Sequence, residues 1–201
     1  MTKALIVIDV QVDFCPGGAL AVPDGDQVVA PINAMMGKYD AVLMTQDWHP
    51  DGHSSFASQY ADASPYDVVQ MPYGAQVLWP DHCVINSVGA QFHSDLDLTG
   101  DLILRKGYRP AIDSYSAFFE NDHSTATGLH GYLQERRIND LTLVGLATDF
   151  CVAYSALDAA RLGYDVTVDL TACRAINLNG SLDEALTRMQ EANVRLDGAL
   201  R

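Results

Sequence analysis

Cys151 lies in the stretch GLATDFCVAY, where the apolar run LTLVG gives way to alanines and leucines at helical spacing. A thiol there falls in the first turn of a helix, with Thr148 or Asp149 as the N-cap. Unpaired N–H groups and the helix dipole favour negative charge at such a point, so the position is expected to lower the thiol pKa. The plainer alternative is a small buried side chain filling a strand–helix junction, a common fate of free cysteine. A nucleophilic thiol also needs a base or a cation nearby. Asp9 ends the otherwise apolar ALIVIDV, and Lys106 ends LILRK. Taken singly, they read as a loop-capping carboxylate and a lysine leaving a sheet. Taken with Cys151 they form an acid/base/nucleophile set. Asp9 would accept the thiol proton and return it to a leaving amine, while Lys106 would keep thiolate and carboxylate charged. Asp13 is a rival acid beyond the strand, in the turn VDFCPGG, and Arg105 reads as solvated.

A second constellation lies in DWHPDGH, where Asp47, His49 and His53 have the spacing D-x-H-x3-H. One carboxylate and two imidazoles suit Zn²⁺, Fe²⁺ or Mn²⁺. His82, in WPDHC, is the natural fourth ligand. Three of the six histidines fall in this region, which favours a metal over a polar loop with scattered histidines. His93, His123 and His130 lack partners at ligand spacing. An open metal site can take a neutral heteroaromatic nitrogen, and Phe14, Trp48, Trp79 and Tyr115 are candidates to wall a planar ring. Cys15, Cys83 and Cys173 read as structural thiols.

Elements must bring these residues together. Short apolar runs rich in Val, Ile and Leu predict buried parallel strands at 4–10, 41–45, 102–105, 141–146 and 165–169, with a weaker one at 194–196. Helical patterns fall between them at 26–38, 125–137, 149–162 and 181–192. The alternation predicts an α/β fold, a three-layer doubly wound parallel sheet of about six strands with helices on both faces. Residues 47–100 break the alternation and are crowded with His, Asp, Pro, Gly and Trp. A loop of that length is expected to build a site. The organisation is therefore one domain, 1–201, with a metal-site insertion around 47–100. Asp9, Asp47, Lys106 and Cys151 all fall at or just after strand ends, where open α/β sheets bind ligands.

The chain carries 12 Lys+Arg against 26 Asp+Glu, a net charge of −14. Such a surface repels phosphate backbones and anionic lipid, so neither nucleic acid nor membrane is an expected partner, and a small neutral substrate fits best. The N-terminal run is short, ends in an acid and precedes no small-residue cleavage site. No stretch approaches the roughly 18–20 apolar residues of a membrane span. The expectation is a cytoplasmic protein with reduced cysteines. A homo-oligomer is left open.

The segments IDVQVDFCPGGALAV, QDWHPDGHSSFA, WPDHCV, KG with DSYSAFFEN, and GLATDFCV with ALDA together resemble the nicotinamidases and pyrazinamidases of the isochorismatase-like cysteine hydrolase superfamily. The likeness runs in order from Ala4 to about Arg174. It implies hydrolysis of nicotinamide to nicotinate and ammonia, with activity on pyrazinamide and related amides, in NAD salvage. It implies Cys151 as nucleophile, Asp9 as general acid/base and Lys106 as third member. It further implies a cis peptide at Leu146–Ala147, an oxyanion hole at the Ala147 and Cys151 N–H groups, and ring contacts from Phe14 and Trp79. One divalent metal, zinc first with iron or manganese as alternatives, would sit on Asp47, His49, His53 and His82 and hold the pyridine nitrogen. Rival readings are another small-molecule amidase or an ether hydrolase of the same superfamily, a metal-binding module with a structural thiol, and a metallohydrolase whose metal activates water. Phe150 and the residues beyond Arg174 receive no role.

Overall fold

The N-terminal apolar run forms β1 (Thr2–Ile8), in which residues 4–8 are wholly buried. Four large side chains, Leu5 to Ile8, leave water there, each stabilising by about 1.5–3 kcal/mol on transfer scales. This structure, a computed structural model, describes residues 2–199. β2 (Ala41–Asp47) is buried throughout. A hairpin of β3 (Val68–Met71) and β4 (Gly74–Val77) follows, then β5 (Leu102–Lys106), β6 (Ile138–Leu146), β7 (Asp165–Arg174) and β8 (Arg195–Asp197). Six of these strands form one sheet in the order β5-β2-β1-β6-β7-β8, with every neighbouring pair parallel.

From β1 the chain winds outward through β2 to β5, then restarts at β6 on the other side of β1. The winding reverses between β1 and β6, and a crevice opens at the carboxyl ends of such a pair. The register makes those ends level. Ile8 lies opposite Gly145, and Asp47 lies opposite Lys106. Gly145 is needed here. Its φ is 112°, and a Cβ would stand 2.2 Å from the Ile8 carbonyl oxygen.

Helices α1 (Val29–Met36), α2 (Leu129–Glu135), α3 (Ala153–Arg161) and α4 (Ser181–Glu191) connect the strands. α1 belongs to a crossover running one way along the sheet and α2, α3 and α4 to crossovers running the other. Right-handed connections therefore place them on opposite faces. α1 and α3 both pack on β7, α2 on β6 and α4 on β8. Among the described residues no helix is long and apolar enough to cross a membrane.

Differences from the sequence expectations are local. Residues 25–28 form a 3-10 turn before α1. The pattern at 125–128 is not helical, because Asp122 accepts hydrogen bonds from the Ser124 and Thr125 N–H groups and Gly128 turns with φ 103°. Helix 149–162 opens as a π-helical turn over Thr148–Val152. Strand 165–169 continues to Arg174. The β3–β4 hairpin lies inside the 47–100 stretch. It lacked a sequence signal because its residues alternate between exposed and half-buried rather than apolar and polar, apart from buried Gln76.

Candidate active site

Lys106 closes β5 at the level of Asp47 on β2, and its side chain is wholly buried. Its ammonium lies 2.7 Å from Asp9 Oδ2, bonds Asp47 Oδ1, donates to the Ser114 carbonyl at 2.9 Å and reaches Cys151 Sγ at 3.5 Å. Burying a lysine is costly unless charges and hydrogen bonds surround it. Here two carboxylates do so, and they hold Lys106 charged: burial alone would depress its pKa, but Asp47 and Asp9 raise it well above the ordinary value.

Asp9 follows β1 in a left-handed conformation, φ 46°. Thr45 donates to its Oδ1 at 2.6 Å and accepts from its N–H at 3.2 Å, which fixes the carboxylate. Oδ2 is completely buried and, though near Lys106, has no well-directed hydrogen bond. Burial raises the Asp9 carboxyl to about 6, with Lys106 opposing the rise and Asp47 adding to it. One oxygen each of Asp9 and Asp47 and the Cys151 sulfur lie within 4.8 Å of one another.

Cys151 sits in the π turn after β6, beyond a cis peptide between Leu146 and Ala147. The expectation of a lowered thiol pKa is reversed. Burial raises it well above the ordinary value; Lys106 lowers it, and Asp9, Asp47 and Asp113 raise it further. The helix start is buried among carboxylates, and desolvation is the largest influence on the thiol. The resting thiol therefore keeps its proton until a base takes it. Asp149 does not cap its own helix. Its carboxylate accepts from the Ile176 N–H at 3.0 Å, the Asn177 N–H at 2.7 Å and the Ser181 hydroxyl, tying the loop after β7 to the turn that carries Cys151.

Beside this cluster, Asp47 Oδ2 faces His49 Nε2 at 3.7 Å and His82 Nε2 at 3.8 Å. The other ring nitrogens are anchored: His49 Nδ1 meets the Gly107 carbonyl at 2.9 Å and His82 Nδ1 the Pro80 carbonyl at 2.8 Å. A carbonyl can only accept, so each Nδ1 carries a hydrogen, and in the neutral ring each Nε2 presents a lone pair. Three buried donors facing one another, each backed by a backbone carbonyl or held strand, fit a divalent cation. Gln11 holds Asp47 by accepting from its N–H at 2.8 Å and donating to its carbonyl at 2.9 Å. His53 forms a different group, with His49 and Asp113. Its Nδ1 meets Ser55 Oγ at 2.8 Å, and its Nε2 meets the Arg109 carbonyl at 2.9 Å.

A cleft of about 330 Å³ joins the two clusters. Phe14, Trp79, Tyr115, Ala147, Cys151, Asp47 and His82 line it, together with Leu20, Asp113, Phe150 and Ile176, which sequence reasoning passed over. Trp79 Nε1 donates to the Tyr115 hydroxyl at 3.0 Å, which sets the two rings at an angle of 78°. Phe150 packs edge-on to Trp79 at 4.9 Å; adjacency to Cys151 was its only sequence signal. Trp48 lies elsewhere, under the Arg105 guanidinium at 4.0 Å. Asp13 accepts from the Cys83 and Ala19 N–H groups, so it holds loops rather than the thiol proton. Cys15, Cys83 and Cys173 are buried free thiols.

Comparison with known proteins gives this arrangement a family. Residues 3–197 match the Isochorismatase domain. The chain is 51% identical over 193 residues to the nicotinamidase of Acinetobacter baylyi, spanning 96% of this chain and 90% of that one. Its fold is similar to that of an Acinetobacter baumannii nicotinamidase/pyrazinamidase, with TM-score 0.96 and 49% identity over 98% of this chain and 95% of that one. The pyrazinamidase of Pyrococcus horikoshii, solved in complex with zinc, is similar at TM-score 0.78 and 30% identity over 98% of each chain. The chain belongs to the isochorismatase family, in its nicotinamidase and pyrazinamidase group.

Proposed function

We propose that the chain hydrolyses nicotinamide to nicotinate and ammonia through a thioester on Cys151, and accepts pyrazinamide and related small amides. The observation that carries this reading is one small aromatic cleft flanked by a buried Asp–Lys–Cys cluster and a carboxylate–imidazole cluster. Phe14, Trp79 and Tyr115 hold the pyridine ring, and the carboxamide lies against Cys151. Asp47, His49 and His82 would hold a divalent ion, with His53 beside His49 as a fourth candidate. Bound there, zinc, or iron or manganese in its place, supplies a Lewis-acid position for the ring nitrogen.

The acid–base work belongs to Asp9. As Sγ bonds the carboxamide carbon, the thiol proton passes to Asp9 Oδ2, and the carbonyl π pair moves onto oxygen. The Ala147 and Cys151 N–H groups receive that charge. The tetrahedral species collapses with cleavage of the C–N bond, and Asp9 returns the proton to nitrogen, releasing ammonia. Water then attacks the thioester, its proton going to Asp9. Nicotinic acid leaves as the C–S bond breaks and loses its proton to solvent or ammonia to become nicotinate, and Asp9 reprotonates the thiolate. Lys106 stays charged throughout, steadying Asp9 and the sulfur.

The wider reading is a single domain with 47–100 as the insertion completing the site, in the cytoplasm, where its four free thiols would persist. With a net charge of −14 the surface suits neither nucleic acid nor anionic lipid. Ammonia release from nicotinamide, wild type beside Cys151→Ala with metal content measured, tests the assignment. Release by wild type alone supports it. Release by both would move the chemistry to the metal, and release by neither, with metal present, would reject the substrate.

A further inference from the structure

Outside the cleft lies a second, more open groove between the β3–β4 hairpin and α4. Tyr66, Val68 and Val77 line one side, and Tyr154, Leu178 and Arg188 the other. The cleft and the groove share one lining side chain, Phe150. Its ring is buried, 9% exposed. On the cleft side it meets Trp79 edge-on at 4.9 Å and Tyr115 at 5.7 Å. The groove continues the same aromatic surface, because Tyr154 packs on Tyr115 at 5.1 Å and Tyr66 on Trp79 at 6.1 Å. Tyr66 and Val68 remain 44% and 64% exposed. A groove of mixed lining, aromatic and aliphatic at Tyr66, Val68, Tyr154 and Leu178 but polar at Asp149, Asn179, Ser181, Glu184 and Arg188, thus abuts the cleft, and Phe150 lines both.

We propose that Phe150 is the partition that sets the size of amide the enzyme accepts, and that the groove behind it is a latent subsite for a neutral aryl substituent on a pyridine carboxamide. This rests on the nicotinamidase reading above. With the ring in place the cleft ends at Phe150, and a substrate larger than a single substituted ring meets it. With the ring removed, cleft and groove join, and an aryl group finds Tyr66, Tyr154 and Leu178 as its walls. Wall residues of this kind act through discrimination: a small change in apolar fit shifts kcat/KM ratios by roughly 10–200-fold.

The test compares wild type, Phe150→Ala and Phe150→Leu on nicotinamide, 5-phenylnicotinamide, 6-phenylnicotinamide and N-benzylnicotinamide, reading acid product by chromatography. The expected result is a rise of about tenfold or more in the ratio of kcat/KM for at least one aryl amide to that for nicotinamide, larger in Phe150→Ala than in Phe150→Leu. A second substitution, Leu178→Trp, fills the groove away from the cleft. In the Phe150→Ala background it should reverse the gain, while alone it should leave nicotinamide turnover within about twofold of wild type. If no aryl amide gains in either Phe150 variant, or if the gain survives Leu178→Trp, the partition is overturned. Because the readout is a ratio within each variant, a general loss of activity does not imitate the result, and Phe150→Leu serves if Phe150→Ala does not fold. Failure of wild type on nicotinamide would reject the underlying assignment instead.

Discussion

Lys106 balances the charge of two carboxylates and a thiol in a place that water does not reach. Its removal should therefore cost more than its hydrogen bonds. Lys106→Met leaves Asp9 and Asp47 facing each other unpaired, and breaking a buried pair in this way costs about 3–5 kcal/mol. The expected outcome is a marked fall in denaturation midpoint together with loss of amide hydrolysis; an unchanged midpoint would contradict the charge argument. In the proposed mechanism Asp9 carries the pH dependence. Its carboxyl is raised to about 6, chiefly by burial. Above that pH it is ionised and can take the thiol proton; below it, the base is already protonated. The acid limb of kcat/KM for nicotinamide should therefore fall near pH 6, and a limb near pH 4 would mean that Asp9 is not the base.

At the scale of elements, the site depends on loops that fit against strand ends. Gly107 follows β5 with φ 69°, and a Cβ there would lie 2.4 Å from the His49 ring. Gly107→Ala should push His49 off its carbonyl anchor, and losing such support typically lowers metal affinity about 10–100-fold. Zinc titration of the metal-stripped variant measures this directly. Asp149 does comparable work on the other side, holding the 176–177 backbone against the turn that carries Cys151. Asp149→Ala removes charge-assisted hydrogen bonds to part-buried donors, a net loss of about 1–3 kcal/mol. In a chain of this size that lowers the melting temperature by roughly 2–4 °C per kcal/mol. A melt unchanged by the substitution would show that the loop is held by other contacts.

At the scale of the whole molecule, the metal group and the catalytic group share Asp47, which joins β2 to β5 through Lys106 and to the insertion through His49 and His82. A divalent ion held there, as proposed, would therefore couple its binding to folding of the 47–100 stretch. A ligand present at about 100 times its Kd stabilises the folded state by about 2.7 kcal/mol. Chelation should lower the melting temperature by several degrees and abolish hydrolysis, and zinc should restore both. A melt indifferent to chelator would disconnect the histidines from a cation. The net charge of −14 adds that inhibition by polyanions should be negligible at ordinary salt.

Much of this protein was legible in its residues. Apolar runs bounded by polar ends specify parallel strands whatever their neighbours, so β1, β2, β5, β6 and β7 were found, and with them the level at which Asp9, Asp47 and Lys106 emerge. Spacing within an element is a local property, and D-x-H-x3-H stands out for that reason. What spacing does not decide is which side chains meet across strands. The packing of loops against the sheet placed His82 beside Asp47 and His53 toward the Arg109 carbonyl, gave Asp13 to a loop, and set Trp48 under Arg105. Desolvation is likewise a property of the assembled fold. The helix start alone argued for an acidic thiol; burial beside three carboxylates pushes its pKa up instead. Phe150 became a wall only because the hairpin and α4 put a groove behind it. The chemical identity of the site is thus written in local sequence, while its geometry, protonation and size limit arise from contacts between residues far apart in the chain.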